Sequence, residues 1–173
     1  LPFPQKAHHN PLEMQTVPIP VPAAHEIRIQ VQACGVCHTD LHIIEGELTP
    51  QKTPVIPGHQ VVGVVDCSGS QASRFSLGQR VGVAWLHSSC QACEYCEKNQ
   101  ENLCESAKFN GYHANGGYAE FMVIPEAYAV ALPRDISAIQ LAPLLCAGVI
   151  GYRSLRLSEI KKIFHTDYFR VFT

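Results

Sequence analysis

The sequence predicts a mainly β domain, a partly open barrel that carries a cysteine-rich lobe and a C-terminal helix. Three observations lead there. Short apolar stretches recur between residues 26 and 132, separated by glycine and proline, which is the pattern of a sandwich or barrel. Four of the eight cysteines fall between residues 90 and 104, in a stretch with little hydrophobic periodicity. From residue 137 onward, helical composition replaces alternation.

Prolines at 11, 18, 20 and 22 keep the opening segment extended. Glu26 to Ala33 places Ile27, Ile29, Val31 and Ala33 on one face and Arg28, Gln30 and Gln32 on the other, a half-buried strand. Thr39 to Glu45 forms a short helix stopped by Gly46, and 53–58 is a turn-rich connection. Gln60 to Cys67 is a second strand, in which Gly63 marks a close backbone approach. Gln79 to Trp85, Tyr118 to Ile124 and Tyr128 to Leu132 are three more. Ser137 caps a helical segment reaching Leu155, which Pro143 kinks or restarts.

A chain of 173 residues can bury a core without disulfides. Its net charge of −2 gives no electrostatic reason for a nucleic acid or an anionic membrane as partner. No apolar run approaches the roughly 20 residues that span a bilayer. Leu1 to Asn10 does not read as a secretory signal, so a reducing cytosol is the expected compartment, where clustered cysteines hold metals in preference to disulfides. The chain does not begin with Met and reads as a fragment.

The cluster Cys90-x2-Cys93-x2-Cys96-x7-Cys104 predicts a closed, structural zinc site. Four thiolates complete a tetrahedral shell, and the metal stands in for the core that the lobe (residues 88–106) lacks. An iron–sulfur cluster is the weaker rival. A second set, Cys37, His59 and Cys146, would leave an open fourth position suited to catalysis. Spacing alone leaves it ambiguous: Cys146 also reads as a small core residue, His59 as a surface histidine, and Cys34 with Cys37 as a redox pair.

The run Cys34-Gly-Val-Cys37-His-Thr-Asp-Leu-His42 resembles the zinc-dependent alcohol dehydrogenases of the medium-chain dehydrogenase/reductase superfamily. So do Pro54-Val-Ile-Pro-Gly-His59, Val81-Gly-Val-Ala-Trp-Leu-His87 and Leu144-Leu-Cys-Ala-Gly148, and the motifs keep the family's order over residues 12–157. The resemblance implies a GroES-like catalytic domain with two zinc ions per chain. Cys37, His59 and Cys146 would bind the catalytic zinc, which acidifies an alcohol, and NAD or NADP would take the hydride. Thr39 and His42 would relay the proton, and Asp40 would orient His59. His38 would meet the cofactor pyrophosphate, and the bulk of Trp85 would favour small primary alcohols.

Departures from the family accompany these matches. Residues 158–173 contain no glycine, so the Gly-rich turn of a Rossmann domain is expected to be absent, and the segment is an unmatched, apolar tail. Gln60 stands where the family usually has Glu, which changes the charge beside the metal and predicts slower turnover; Gln79 stands where Asp is commoner. The expected function is zinc-dependent oxidation of small primary alcohols, or reduction of aldehydes, by a truncated chain. Two alternatives stay open: a non-catalytic zinc module, and an interaction partner of a full-length relative. A homo-oligomer is compatible with either.

Overall fold

A computed structural model describes residues 12–159. Five strands, β1 (Glu26–Cys34), β2 (Val61–Ser68), β3 (Arg80–Val83), β6 (Phe121–Pro125) and β7 (Ala129–Ala131), form one antiparallel sheet in the order β6-β1-β2-β3-β7. A separate two-stranded ribbon joins β4 (Leu86–Ser88) to β5 (Lys108–Phe109). Two short helices, α1 (His38–Ile44) and α2 (Glu94–Glu97), lie in the connections after β1 and β4. The large sheet curls into a half-barrel, as the sequence predicts for this fold class. Register shifts at Arg28/Ile29 and at Val31/Ala33 bend β1 against β2.

The alternation in β1 works as expected at its start. Ile27 and Ile29 are fully buried in the main core with Val61, Val65, Val81, Val83, Met122, Ile124, Ala129 and Phe75. Arg28 points the other way and grips Asp66 of β2 through Nε and one terminal nitrogen at 2.9–3.2 Å. β2 differs, because both of its faces are apolar. Val61 and Val65 join the main core, while Val62 packs with Leu141 and Ala142 in a second cluster that includes Ala33, Leu132, Ala138 and Leu145. The helical segment therefore covers the outer face of β2.

That segment is three pieces: α3 (Ala138–Leu141), a 3-10 turn (Ala142–Leu145) and α4 (Ala147–Leu157). Ser137 Oγ accepts the Gln140 N–H, the expected cap, and Pro143 sits in the first turn of the 3-10 piece, where its missing N–H costs little. The bend between Ala138–Leu145 and Ala147–Leu157 is 49°, and no single described helix is long and apolar enough to cross a membrane.

Other boundaries differ from the sequence reading for identifiable reasons. β3 ends at Val83, two residues early, because the chain leaves the sheet to start β4. β6 begins at Phe121 because Gly116, Gly117 and Tyr118 first donate their backbone N–H groups to the carbonyls of Ile56, Gly58 and Pro57. The helix α1 lies within one residue of its expected span. The readings of Leu1 to Asn10 and of the tail from Ile160 onward lie outside the described residues.

Gly63 lies where a Cβ would overlap the Gln30 carbonyl oxygen, whereas a Cβ on Gly151 in α4 meets nothing. Gly63→Ala is therefore expected to destabilise the protein by about 1–3 kcal/mol, as overpacking against backbone does. Gly151→Ala should stabilise it by about 0.5–1 kcal/mol by removing glycine from a helix interior. Urea midpoints of the two variants, which should move in opposite directions, check both.

Candidate functional site

β1 delivers the chain to the site. Gly35 follows it at a point where a side chain would collide with Gln60, and its N–H donates to the Gln60 carbonyl at 3.0 Å. Cys37 then adopts an extended conformation (φ −120°, ψ 158°) and caps α1. Asp40, three residues on, turns back so that its Oδ2 accepts the Cys37 N–H at 2.9 Å. Its Oδ1 accepts the Gly58 N–H at 3.1 Å and His59 Nδ1–H at 3.0 Å. Asp40 is 0 % exposed and His59 1 %. With Nδ1 committed to the carboxylate, His59 presents Nε2 as its free ligand atom.

Burial is the largest influence on both members of this pair and opposes their charges. It is outweighed in each. The Asp40 carboxyl lies below its ordinary value because of the His59 ring and the amides of Cys37 and Gly58. The His59 imidazole lies above its ordinary value because of Asp40 and Cys37.

Cys146 arrives from the far side, at the junction between the 3-10 turn and α4, with φ −133° and ψ −77°. Its Sγ is 3.7 Å from Cys37 Sγ, and the ligand atoms of Cys37, His59 and Cys146 all lie within 4.8 Å of one another. Two sulfurs each about 2.3 Å from a shared tetrahedral ion sit about 3.8 Å apart, so the pair fits zinc, and it is far too long for a disulfide of about 2.05 Å. Burial, and then the Cys37 charge, push the Cys146 thiol up to about 12. Cys37 lies below its ordinary value despite burial, because Thr39 offers it a backbone N–H and a hydroxyl. Thr39 Oγ1 is 3.9 Å from Cys37 Sγ.

Trp85 meets the His59 ring edge-on at 4.7 Å between centroids. Its other neighbours are Phe109, stacked at 4.9 Å, and Tyr112 at 6.2 Å. These two extend the aromatic wall, and the sequence reading did not name them; the aromatic residues close on either side of Gly111 were the available signal. Gln60 is buried at the start of β2. His38 and His42 stand on the more exposed side of α1, their rings 4.5 Å apart, with His42 paired to Glu47. The structure therefore gathers Cys37, Thr39, Asp40, His59, Trp85 and Cys146 tightly and leaves these two histidines towards solvent.

The lobe is built around its sulfurs. Cys93 precedes α2, whose single turn carries Cys96 inward, and Gln91 and Asn99 take left-handed conformations that close the loop. Neighbouring Sγ atoms are 3.5–3.9 Å apart, and all four lie within 4.8 Å of one another, again the spacing of a tetrahedral shell. The backbone N–H of Ala92, then the Cys104 thiol, hold Cys90 down at about 6. Tyr128 Oη accepts the Ser89 N–H at 3.0 Å and ties the lobe to the sheet.

Comparison with known proteins gives a consistent result. The family model for the alcohol dehydrogenase GroES-like domain matches residues 23–134. The chain is 50 % identical over 155 residues to the probable alcohol dehydrogenase AdhA of Mycobacterium tuberculosis, covering 87 % of this chain and 45 % of that protein. It is 41 % identical over 152 residues to an alcohol dehydrogenase of Geobacillus stearothermophilus, with the same coverages. Among solved structures, the cinnamyl alcohol dehydrogenase of Sorghum bicolor superposes with a TM-score of 0.77 at 33 % identity, over 84 % of this chain and 44 % of that one. The CAD of Helicobacter pylori complexed with NADP(H) gives 0.75 at 30 %, over 81 % and 43 %. The chain spans a little under half the length of these relatives.

Replacing Asp40 by Asn sets an N–H donor among N–H donors. In the metal-free protein this should cost about 1.5–3 kcal/mol, the scale of a hydrogen bond to a charged group. The Asp40 contribution is complete above its ordinary value of 3.8 and is lost as pH falls through the lower folded value. The His59 contribution is complete below 6.5 and is lost as pH rises through the higher folded value. Urea denaturation of Asp40→Asn beside the wild type should thus show its largest gap between pH 3.8 and 6.5, narrowing on both sides. A gap that is flat with pH would contradict the pairing.

Proposed function

The chain belongs to the alcohol dehydrogenase GroES-like domain family, and from that premise we propose that residues 12–157 form the metal-holding, substrate-facing domain of a zinc-dependent alcohol dehydrogenase that uses a nicotinamide cofactor. One observation carries this reading: three ligands from three separate elements, Cys37, His59 and Cys146, converge with an orienting carboxylate behind the histidine. Zinc held there supplies a Lewis acid for an alcohol or carbonyl oxygen.

The chain's own residues divide the remaining work. Cys37, His59 and Cys146 hold the ion. Asp40 fixes the tautomer and plane of His59. Thr39, whose hydroxyl lies 3.9 Å from Cys37 Sγ, is the residue we assign to accept a proton from an alcohol and pass it on. His42, in the last turn of the same helix, is the residue we assign to exchange that proton with solvent. The His38 ring, exposed at the first turn of α1, is the residue we assign to the cofactor phosphates. Trp85, backed by Phe109 and Tyr112, walls the side of His59, and its bulk favours small primary alcohols and the corresponding aldehydes. Gln60 keeps the start of β2 neutral. Cys90, Cys93, Cys96 and Cys104 hold a second, structural zinc, giving two ions per chain.

A second reading has its own support. Val149, Ile150, Tyr152 and Leu157 of α4 are exposed, which favours an interaction partner of a full-length relative.

The deciding experiment is oxidation of a short primary alcohol with NAD or NADP by the zinc-reconstituted domain joined to the nucleotide-binding domain of a relative, because the chain spans 45 % of such a relative's length. Turnover is expected, and Cys146→Ser or His59→Asn should lower kcat/KM at least a hundredfold. Zinc binding without any turnover would instead leave the interaction partner as the reading. Removal of the second zinc by a chelator, or Cys104→Ser, should expose residues 88–106 to proteolysis while the sheet stays protected. Simultaneous loss of both regions would contradict a separate structural role for the lobe.

A further inference from the structure

Among the described residues, two buried side-chain polar atoms have no hydrogen-bond partner: Arg80 Nε and Tyr118 Oη. Arg80 is otherwise engaged, with a terminal nitrogen on the carbonyls of Pro133, Arg134 and Ile136 that fixes the approach to α3. Tyr118 has no such explanation. Its backbone N–H donates to the Pro57 carbonyl at 3.0 Å. Its ring lies against Gly58, where a Cβ would come within 2.6 Å of Cδ1, and Gly58 itself has φ +96°. Tyr118 is therefore pressed against the residue whose N–H reaches Asp40. Burial first, and then the Asp40 charge, keep the proton on its hydroxyl, and Asp40 acts on it more strongly than Cys34 does.

Asp40 has room for such a donor. A carboxylate offers about four acceptor directions. Three are filled: Oδ1 takes Gly58 N–H and His59 Nδ1–H, and Oδ2 takes only Cys37 N–H. Asp40 is wholly shielded from water, so no solvent competes for the fourth.

We propose that Tyr118 is a positioning residue for the site of Cys37, His59 and Cys146, its hydroxyl donating the fourth hydrogen bond to Asp40. This rests on the reading that those three residues hold a metal. The plane of the carboxylate sets the plane of the His59 ring, and that ring aims Nε2. A carboxylate held by four donors on two oxygens cannot swing about its Cβ–Cγ bond, so Tyr118 locks the aim of Nε2 without touching the metal. The ring of Phe at this position would fill the same space on Gly58 and lose only the lock.

Cobalt(II) titration tests this, read by the thiolate-to-cobalt absorption. Cys146→Ser removes one site and leaves the four-cysteine lobe, so wild type minus Cys146→Ser reports the site of interest. Tyr118→Phe is expected to weaken cobalt binding there about three- to tenfold, less than the 10–100-fold typical when a direct orienting partner is lost. The lobe should titrate unchanged, and the Tm of the metal-free protein should fall modestly because a buried carboxylate loses a donor; the selective loss at one site, with the lobe unaffected, is what a merely structural tyrosine would not give. In an Asp40→Asn background, Tyr118→Phe should add nothing.

Wild-type affinity in Tyr118→Phe, or a full penalty that persists in the Asp40→Asn background, would overturn the proposal. Should Asp40→Asn fail to fold, the isotope-edited infrared C–O stretch of the tyrosines in the wild type decides instead, because a donating phenol and a free one absorb differently. A free Tyr118 rejects the proposal. Identical titrations of wild type and Cys146→Ser would remove the metal reading itself, a failure distinct from an inert Tyr118→Phe.

Discussion

The buried carboxylate of Asp40 is the constraint on which the site depends. It takes the N–H of the residue that caps α1, the N–H of the glycine that ends the 53–58 connection, and the ring of His59. The segments that run on from the paired ends of β1 and β2 are therefore held in register beyond the sheet by two oxygen atoms. A helix of seven residues is marginal alone. Here its first turn is anchored from inside by Asp40, and the same anchor aims the histidine. Cap, turn and ligand are one arrangement.

The sheet supplies the rest of the precision. β2 begins immediately after His59 and Gln60 and is pinned on both faces, by the main core through Val61 and Val65 and by the helical segment through Val62. The second contact matters chemically, because Leu141, Ala142 and Leu145 sit just before Cys146 in that segment. The packing that closes the outer face of β2 thus brings Cys146 to Cys37. Apolar burial of these small clusters brings the two cysteines together, and a sulfur–sulfur hydrogen bond joins them at 3.7 Å.

How much of this the sequence shows depends on whether the signal is local. β1 is legible from strict alternation, Gly63 from the cost of a side chain beside a neighbouring strand, and the Ser137 cap from its chemistry. The four-cysteine cluster is legible because its ligands are close in sequence, and the structure brings those sulfurs together. The ribbon of β4 and β5 is not legible. Strands of three and two residues have no period, and what accompanies them is the stacking of Trp85 on Phe109. Cys146 carries no local mark either; it comes only through a resemblance, since a cysteine among leucines is ordinarily core. Tyr118 reads as the start of a strand, because nothing local shows that Gly116 and Gly117 divert the backbone onto residues 56–58 first.

The two sets of residues that could hold a metal ion differ in their electrostatics. In the lobe, where Cys96 and Cys104 are buried, Cys90 is held down at about 6, whereas Cys93, despite the Cys96 N–H, is pushed up to about 11 by desolvation and its neighbouring thiols. The inner site places Asp40, Cys37 and Cys146 near one another, and burial with the Cys37 charge holds Cys146 up at about 12. Binding of a dication there would require the Cys146 proton to leave, and the dication offsets the repulsion that keeps it on. Another buried carboxylate beside His59 would add to that negative charge. A glutamine at position 60 leaves that charge to Cys37, Cys146 and Asp40.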